Sequence, residues 1–457
     1  MHNDNDTMQE LLNAALGRRR LFEQSLKGGA AVLVGGLGLA GTAAGSAKPA
    51  ATPAVATNAA QRLLSGRAWD DYCEMLRLAG HQIEHWGDAI TDLDRAEWYR
   101  FMTRLARNGI ERFVENADAQ RPRLRDAPWR NSINVQNPDQ DHLLSEISPD
   151  HDFVIRGHRG SVPYFIISVW SAAQPADIGA RDWAPLGVAG LRQFNPAMLH
   201  TTTFLQSDAL KYERDGRFEV RLSQRQQAGN WLQLAPDSVG VIVRVVYHDR
   251  SSERAPQMTI ERSDRPAPSP LQPAALAADL ARAGQLVLGY AELVRSWWQD
   301  NLSKRPNALQ FSRRTYLSNG GVADRHFAFG AWFKAAGEAL TLQFTPPPCE
   351  HWIFQLCNVW QENLDNYEDG QGYLTKFNAR PEADGSIRIV VADENPGIGG
   401  HWIDAFGHRS GLMGLRLIKT EQTPVVTLHR LPLAALKEKG WHGLTAESAI
   451  ISGQRTP

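Results

Sequence analysis

One stretch near the C-terminal end, residues 394–416, combines ionisable side chains with the glycines of tight turns, and it reads ENPGIGGHWIDAFGHRSGLMGLR. A histidine with a carboxylate partner can act as a general base, and His408 has Asp404 close to it in the chain. An arginine such as Arg409 can bind a carboxylate, a phosphate or a developing oxyanion. The stretch therefore predicts acid–base catalysis by Asp404, His408 and Arg409. The alternative is a structural turn in which Arg409 pairs with Glu394 or Asp404.

A predicted strand over residues 349–360 adds further polar groups. Its period of two separates the side chains into two faces. The residues of interest on these faces and beyond the strand end are His351 and Gln355, Asn358 and Trp360, and Glu362. Buried polar groups are unfavourable unless paired, so a polar strand face implies partners, water or a ligand. We therefore predict Glu362 as a fourth catalytic residue. The predicted substrate-binding residues are His351, Gln355, Asn358, Trp360 and His401.

Other chemistries fit this region less well. A metal site could use His401, Asp404 and His408, but the spacing of ligands on an irregular loop carries little information. A nucleophilic thiol at Cys357 would need a nearby base, and burial within a strand would raise its pKa. The sequence contains no Gly-x-Ser-x-Gly, and no dinucleotide-binding or phosphate-binding glycine pattern between a strand and a helix. No metal and no cofactor is therefore predicted.

The strands that would position these residues fall in two blocks. Short segments with a period of two are separated by Gly, Pro and Asp residues. In the first block the segments are residues 152–156, 164–170, 217–222, 240–247 and 257–262, and the second block runs over residues 315–431. Many short strands with such turns are typical of antiparallel sandwiches and jelly rolls. The predicted fold class is mainly β with helical additions, as two jelly-roll or β-sandwich domains in tandem.

Helical periodicity precedes and separates the two blocks. Apolar residues recur at helical spacing over residues 59–118, which predicts a helical pair. They recur again over residues 276–298, which predicts a linking helix. The predicted division of the chain is 1–56 for a signal peptide and linker, 57–127 for the helical segment, 128–265 for the first sandwich, 266–310 for a Pro-rich linker and helix, and 311–457 for the second sandwich.

The two strand blocks resemble each other, which predicts an internal repeat of two similar domains. The positions that agree in both copies are Trp170 and Trp360, Trp231 and Trp402, and Arg244 and Arg416. Agreement between the copies indicates a role in the fold, and a difference in chemical type favours a function. Where the second copy has Asp404, His408 and Arg409, the first copy has Gln233, Asp237 and Ser238.

The motifs of the second block also resemble a known family. They are HWxxxLxNxWxxNLD at residues 351–365, DGSIRIV at 384–390 and NPGxxxHWIDxxGHxxG at 395–411. Together they resemble the domain-of-unknown-function 1214 family, with the first block as a more distant relative. The resemblance implies a bacterial protein built on β-sandwich folds and carries no settled reaction. His401 departs from the family pattern, in which Asn precedes this Trp, as Asn230 does in the first copy.

The N-terminal residues have the layout of an export signal. Three arginines at positions 18–20 are followed by Leu21 and Phe22, and an uncharged Gly/Ala-rich run occupies residues 28–47. Small residues at 54–56 offer a cleavage site. The arrangement resembles a Tat-type signal peptide. We therefore expect export of a bacterial protein to the periplasm. The alternative is a disordered tail with a chance cluster of arginines.

The composition narrows the classes of partner. The chain has 457 residues, a net charge of −1 and 22% charged residues. This charge balance does not indicate a nucleic-acid-binding protein. Its 14 tryptophans predict an aromatic-rich core or an apolar binding surface. Its three cysteines do not make a disulfide scaffold, because Cys349 and Cys357 would lie about 26 Å apart along one strand.

Two functions from different classes follow from these observations. The first is an exported enzyme, a hydrolase or lyase, that acts by acid–base chemistry on a small apolar or aromatic molecule. The alternative is a non-catalytic periplasmic binding protein for a glycan or a hydrophobic ligand. In either case the expected partner is a small molecule or glycan, and no binding to nucleic acid is expected. No membrane span is expected in the mature form. Assembly into a homo-oligomer is compatible with the sequence.

Overall fold

The computed structural model describes residues 53–115, 118–126, 135–171, 200–313, 322, 325–364, 370–444 and 450–452. Residues 1–52, which hold nearly all of the predicted signal peptide and linker, lie outside the described residues. By its internal contacts the chain divides into a unit of residues 46–86 and 90–457 and a unit of residues 1–45 and 87–89. Of the latter, only residues 87–89 are described, at the end of a 3₁₀ helix over Gln82–Ala89. Both groups of strands lie in the unit of residues 46–86 and 90–457.

Among the described residues three α-helices precede the sheets, and one long α-helix lies between the two groups of strands. They are α1 (Pro53–Leu64), α2 (Arg67–His81), α3 (Asp92–Gly109) with a π-helical turn over Ile110–Val114, and α4 (Pro273–Lys304). A capping box starts α3, because the Thr91 hydroxyl accepts from the Asp94 backbone N–H and the Asp94 carboxylate accepts from the Thr91 N–H. Gly109 lets α3 approach α4 closely, since a Cβ there would lie 2.8 Å from the carbonyl oxygen of Ala283.

The first sandwich is made of strands β1 to β9. The strands are β1 (Arg125–Asp126), β2 (Gln140–Glu146), β3 (Phe153–His158), β4 (Tyr164–Ser171), β5 (His200–Gln206), β6 (Arg217–Ser223), β7 (Asn230–Gln233), β8 (Ser238–Val246) and β9 (Gln257–Arg262). They form one sheet in the order β1-β2-β8-β4-β5 and another in the order β7-β6-β3-β9. Apolar side chains of both sheets, such as Phe165 and Val220, fill one core.

The second sandwich is made of strands β10 to β19, with α5 (Leu433–Lys439) and a 3₁₀ turn (Trp441–Gly443) near its end. The strands are β10 (Gln310–Phe311), β11 (Arg325–Phe333), β12 (Glu338–Phe344), β13 (His351–Leu356), β14 (Tyr373–Thr375), β15 (Ile387–Ala392), β16 (His401–Asp404), β17 (Ser410–Ile418), β18 (Val426–Pro432) and β19 (Ile450–Ser452). The sheet orders are β10-β11-β17-β13-β14 and β16-β15-β12-β18-β19. Phe354 and Ile389 lie in their shared core.

The two sandwiches have the same strand order over β1 to β9 and β10 to β18. Each has one parallel pair, β6 with β7 and β15 with β16. In both pairs a tryptophan of the shorter strand donates its indole N–H to the carbonyl of the last residue of the longer strand. In the first sandwich Trp231 of β7 donates to Ser223 of β6, and in the second Trp402 of β16 donates to Ala392 of β15. The aligned Trp170 and Trp360 differ in position, because Trp170 lies within β4 and Trp360 lies beyond the end of β13.

The predicted fold class is confirmed: mainly β, in two groups of strands, with a helical pair near the N-terminus and a helix between the groups. The helices pack together and against the outer face of the sheet that contains β11, β13 and β17, where Trp98, Tyr290 and Trp360 share one core. No helix among the described residues is long and apolar enough to cross a membrane. The predicted domain boundaries stay predictions.

Candidate functional site

His408 lies in a tight turn between β16 and β17. The Asp404 carboxylate at the end of β16 accepts from the Phe406 N–H at 2.8 Å, and Phe406 and Gly407 have left-handed backbone conformations with φ of 50° and 78°. The His408 N–H closes the turn on the Ala405 carbonyl at 2.9 Å. The ring Nδ1 lies 3.2 Å from the same carbonyl oxygen. The turn therefore fixes the orientation of the imidazole, which is 1% exposed.

The carboxylate partner of His408 is Glu97 of α3. His408 Nε2 lies 2.9 Å from Glu97 Oε2, although the two residues are 311 positions apart. Asn358 Nδ2 donates to the same oxygen at 2.9 Å, and Arg100 Nη2 donates to Glu97 Oε1 at 2.8 Å. Burial lowers the pKa of His408, but the hydrogen bond and charge of Glu97 raise it, and the net change is upward. The carboxylate beside His408 is thus Glu97 of α3 and not Asp404, which is close to His408 only in the sequence.

Glu362 belongs to the same hydrogen-bonded network. Asn358 Nδ2 lies 3.2 Å from Glu362 Oε2, and Arg104 of α3 donates to Glu362 Oε1 at 2.6 Å. The Asn358 side-chain oxygen accepts from the backbone N–H groups of Trp360 and Glu362, each at 3.0 Å, and this holds the turn after β13. Burial raises the pKa of Glu362 to about 7, against the opposing effect of the Arg104 charge.

Replacing Glu362 with glutamine is expected to change how stability depends on pH. The pKa of Glu362 is about 7 in the folded protein and about 4.3 in an unfolded chain. In this interval the folded state retains a proton that the unfolded state releases, so the contribution of Glu362 to stability is present below about pH 4 and is lost as the pH rises through 7. Between pH 4 and pH 8 the free energy of unfolding of the native protein should therefore fall by on the order of 3 kcal/mol relative to that of the Glu362→Gln variant.

Urea denaturation of both proteins at a series of pH values measures this difference, because all other titrating groups are common to the two chains. A difference in free energy of unfolding that is the same at pH 4 and pH 8 would contradict the expectation.

Trp360 is a packing residue of this region. It is fully buried, its ring centroid lies 4.5 Å from that of Trp86 and 4.7 Å from that of Trp98, and it also packs on Phe101. Its indole N–H donates to the Asp94 carbonyl at 2.9 Å. Trp360 thereby attaches the turn after β13 to the first turn of α3, immediately beside Glu97.

Asp404 and Arg409 have other partners. Arg409 pairs with Asp393 at 2.8 Å, and the buried Lys334 donates to the same carboxylate at 2.7 Å. Asp404 caps its own turn. Among the described hydrogen bonds none joins either residue to the His408 ring.

The other predicted substrate-binding residues lie outside the His408 network. His351 bonds to Asp139, and Gln355 bonds to the Gln136 carbonyl at 2.8 Å and to Arg416. Thus the polar face of β13 is covered by residues 135–139 of the same chain. His401 accepts from the backbone N–H of Arg380 at 2.9 Å.

The three cysteines are free. Burial raises the pKa of the Cys357 thiol to about 12, which makes it a poor nucleophile at neutral pH.

Sequence reasoning missed Glu97 and its neighbour Asp94. Both are buried, at 6% and 0% exposure, on the face of α3 that also carries Trp98 and Phe101. The available signal was their spacing, because positions 94, 97, 98 and 101 fall on one helical face. Two acidic residues within an apolar stripe indicate buried carboxylates that need partners.

Taken together, the fold and the site define a tandem β-sandwich protein with a helical layer and a buried carboxylate–histidine cluster. A family model described as a protein of unknown function (DUF1214) matches residues 189–249, of which 200–249 are described. An uncharacterized protein of known structure from Burkholderia cenocepacia is 32% identical, with a TM-score of 0.73, and the match covers 82% of this chain and 100% of that one. The chain belongs to the DUF1214 family.

The family match lies in the first sandwich, over the region of β5 to β8, whereas the sequence motifs placed the closest resemblance in the second. The VPA0106 protein from Vibrio parahaemolyticus is 11% identical over 78% of this chain and 98% of that one, with a TM-score of 0.39, which is too low to inform this structure. No curated protein matches the chain.

Proposed function

We propose that the protein is an exported bacterial enzyme, a hydrolase or lyase, that acts by acid–base chemistry on a small apolar or aromatic molecule. The observation that carries the proposal is the 2.9 Å contact between His408 Nε2 and Glu97 Oε2. A buried histidine oriented by a backbone carbonyl and paired with a carboxylate has the arrangement required of a general acid or base.

The groups around this pair support the same chemistry. Glu362 is connected to Glu97 through Asn358, and a carboxyl group with a pKa of about 7 can gain or lose a proton near neutral pH. The side chains of Arg100 and Arg104 are 36% and 22% exposed, so they connect the buried network to the surface of α3. On this proposal a substrate would approach the network along these two arginines, from the surface of α3.

Turnover measurements on the purified full-length chain test the proposal. A panel of aryl esters, beginning with p-nitrophenyl acetate, and of aryl substrates for elimination serves as the probe. We expect measurable turnover by the native protein and its loss in His408→Ala, with an unchanged circular dichroism spectrum. The matched control is His158→Ala, which removes an exposed histidine that bonds to the Asp215 carbonyl in the first sandwich. Equal rates in His408→Ala and His158→Ala would remove His408 from any mechanism.

The alternative function, binding of a glycan or hydrophobic ligand without catalysis, is favoured by one observation. The side chain of Trp69 on α2 is 56% exposed and lies 5.7 Å from the Tyr72 ring, an arrangement that suits stacking on a sugar or apolar ring. This function expects ligand binding that survives His408→Ala and is lost in Trp69→Ala.

The proposal includes export to the periplasm and an internal repeat. The arginines at positions 18–20 and the uncharged run at 28–47 support export by a Tat-type route. The equal strand orders of the two sandwiches support the repeat. On this proposal the second copy alone contributes a histidine here, because the first copy has Asp237 and Ser238 in the corresponding turn, which the Ser238 N–H closes on the Ala235 carbonyl at 3.0 Å.

A further inference from the structure

Three buried side chains of the site have the composition of a metal centre. They are Asp94 and Glu97 of α3 and His408 of the turn before β17, and one potential ligand atom from each lies within 4.8 Å of the other two. Their exposures are 0%, 6% and 1%. The spacing of three in α3 places both carboxylates on one helical face, and the β16–β17 turn brings the imidazole opposite them.

The hydrogen bonds of His408 leave its Nε2 suited to a cation. A carbonyl oxygen only accepts hydrogen bonds, so the contact of Nδ1 with the Ala405 carbonyl requires a proton on Nδ1. The neutral imidazole then presents the Nε2 lone pair to the Glu97 carboxylate, which also only accepts. Either a second proton or a metal ion must lie between them. Metal-binding histidines commonly donate their other N–H to a backbone carbonyl in this way.

Asp94 supplies a second and independent observation. Its Oδ2 accepts from the Thr91 N–H at 2.8 Å and from the Thr91 hydroxyl at 2.7 Å. Its Oδ1 is buried and has no hydrogen-bond partner. A buried carboxylate oxygen without a donor is unfavourable, because it loses its hydration and gains nothing in return. A cation bound by Glu97 and His408 would satisfy it.

We propose that Asp94, Glu97 and His408 bind one divalent transition-metal ion. Two carboxylate oxygens and one imidazole nitrogen suit Zn²⁺, Mn²⁺ or Fe²⁺, whereas Ca²⁺ requires six or more oxygen ligands. Arg100 and Asn358 hold the Glu97 carboxylate in place, as outer partners do in metal centres. Three protein ligands leave coordination positions open. With its Nε2 bound to the ion, His408 would act as a ligand and not as the proton acceptor, so in the metal-bound protein Glu362 is the group of the network left for proton transfer. The role of the ion as a cofactor, and that role alone, rests on the proposed function.

Metal binding is tested on the full-length chain after dialysis against EDTA. Titration with ZnCl₂ or MnCl₂ in competition with a chromophoric chelator should give one site per chain. The variants Asp94→Asn, Glu97→Gln and His408→Gln should each weaken binding by roughly 100-fold or more, since each removes a direct ligand. The matched control is Glu292→Gln in α4. Like Glu97, Glu292 is buried and pairs with an arginine three residues later, Arg295. Binding by Glu292→Gln should equal that of the native chain.

Asp94→Asn keeps a side chain that can still cap α3, so it separates ligation from folding. The melting temperature of the native chain should rise with added ZnCl₂ and that of a folded Asp94→Asn chain should not. The inference is overturned if no stoichiometric site appears, or if the three variants bind as tightly as the Glu292→Gln control. Turnover by the EDTA-treated chain would overturn the cofactor role and leave the proposed enzyme standing. A stoichiometric metal site in a chain without turnover would support the site and count against the enzyme.

Discussion

Glu97→Ala is expected to lower the free energy of unfolding by about 3–5 kcal/mol, the range for removal of one partner from a buried ion pair. Glu97 Oε2 lies 2.9 Å from His408 Nε2, and the glutamate accepts hydrogen bonds from Asn358 and Arg100 at 2.9 and 2.8 Å. Alanine would leave a buried imidazole and a buried amide without an acceptor, next to a cavity. The loss exceeds what the removed methylene groups alone would give, because desolvated polar groups remain behind.

Guanidinium denaturation of the purified variant measures this loss. The control is Glu111→Ala in the π-helical turn after α3, where Glu111 pairs with Arg107 at 2.8 Å and both side chains are partly exposed. An exposed pair of this kind contributes about 0.2–1 kcal/mol. If Glu97→Ala destabilised the protein no more than Glu111→Ala does, the buried network would be absent or energetically irrelevant.

Trp360→Ala is expected to have an effect of similar size, about 3–5 kcal/mol, as for other large aromatic residues in cores. The residue is fully buried among Trp86, Trp98 and Phe101, and its indole N–H bonds to the Asp94 carbonyl. The substitution creates a cavity between α3 and the sheet, and it leaves the first turn of α3 without its attachment to the second sandwich.

Thermal and denaturant unfolding of Trp360→Ala measures this loss of stability. The same measurements on Trp69→Ala serve as the control, because they show the effect of removing an exposed tryptophan. Trp69 is 56% exposed, so its removal should change stability by less than about 1 kcal/mol. A loss below about 1 kcal/mol for Trp360→Ala would show that this aromatic group is not a core.

The sequence was informative about elements and about part of the site. Alternation and turn residues located most strands, and helical spacing located α3 and α4, because both signals are local. The difference between the two strand blocks pointed to His408, and the end of the predicted strand pointed to Glu362; the structure places both in one network with Asn358. Positions at which the two blocks agree, such as Trp231 and Trp402, make matching indole hydrogen bonds in the two sandwiches.

The partners could not be read in the same way. Periodicity tells which face of α3 is buried and not which loop covers it, so the contact of Glu97 with His408 across 311 residues had no sequence signal of its own. Proximity in sequence suggested Asp404 instead, and that carboxylate caps its own turn. The polar face of β13 was expected to need partners, water or a ligand. The described partners are residues 135–139, which a pattern within the strand cannot reveal.

The central claim is that α3 and the turn before β17 form one site through Glu97 and His408. A double-mutant cycle with Glu97→Gln, His408→Gln and the double variant, read as free energies of unfolding, tests it most directly. The expected result is a coupling energy of about 2 kcal/mol or more, because each single variant already breaks the shared contact. Additivity of the two substitutions within about 0.5 kcal/mol would contradict the claim.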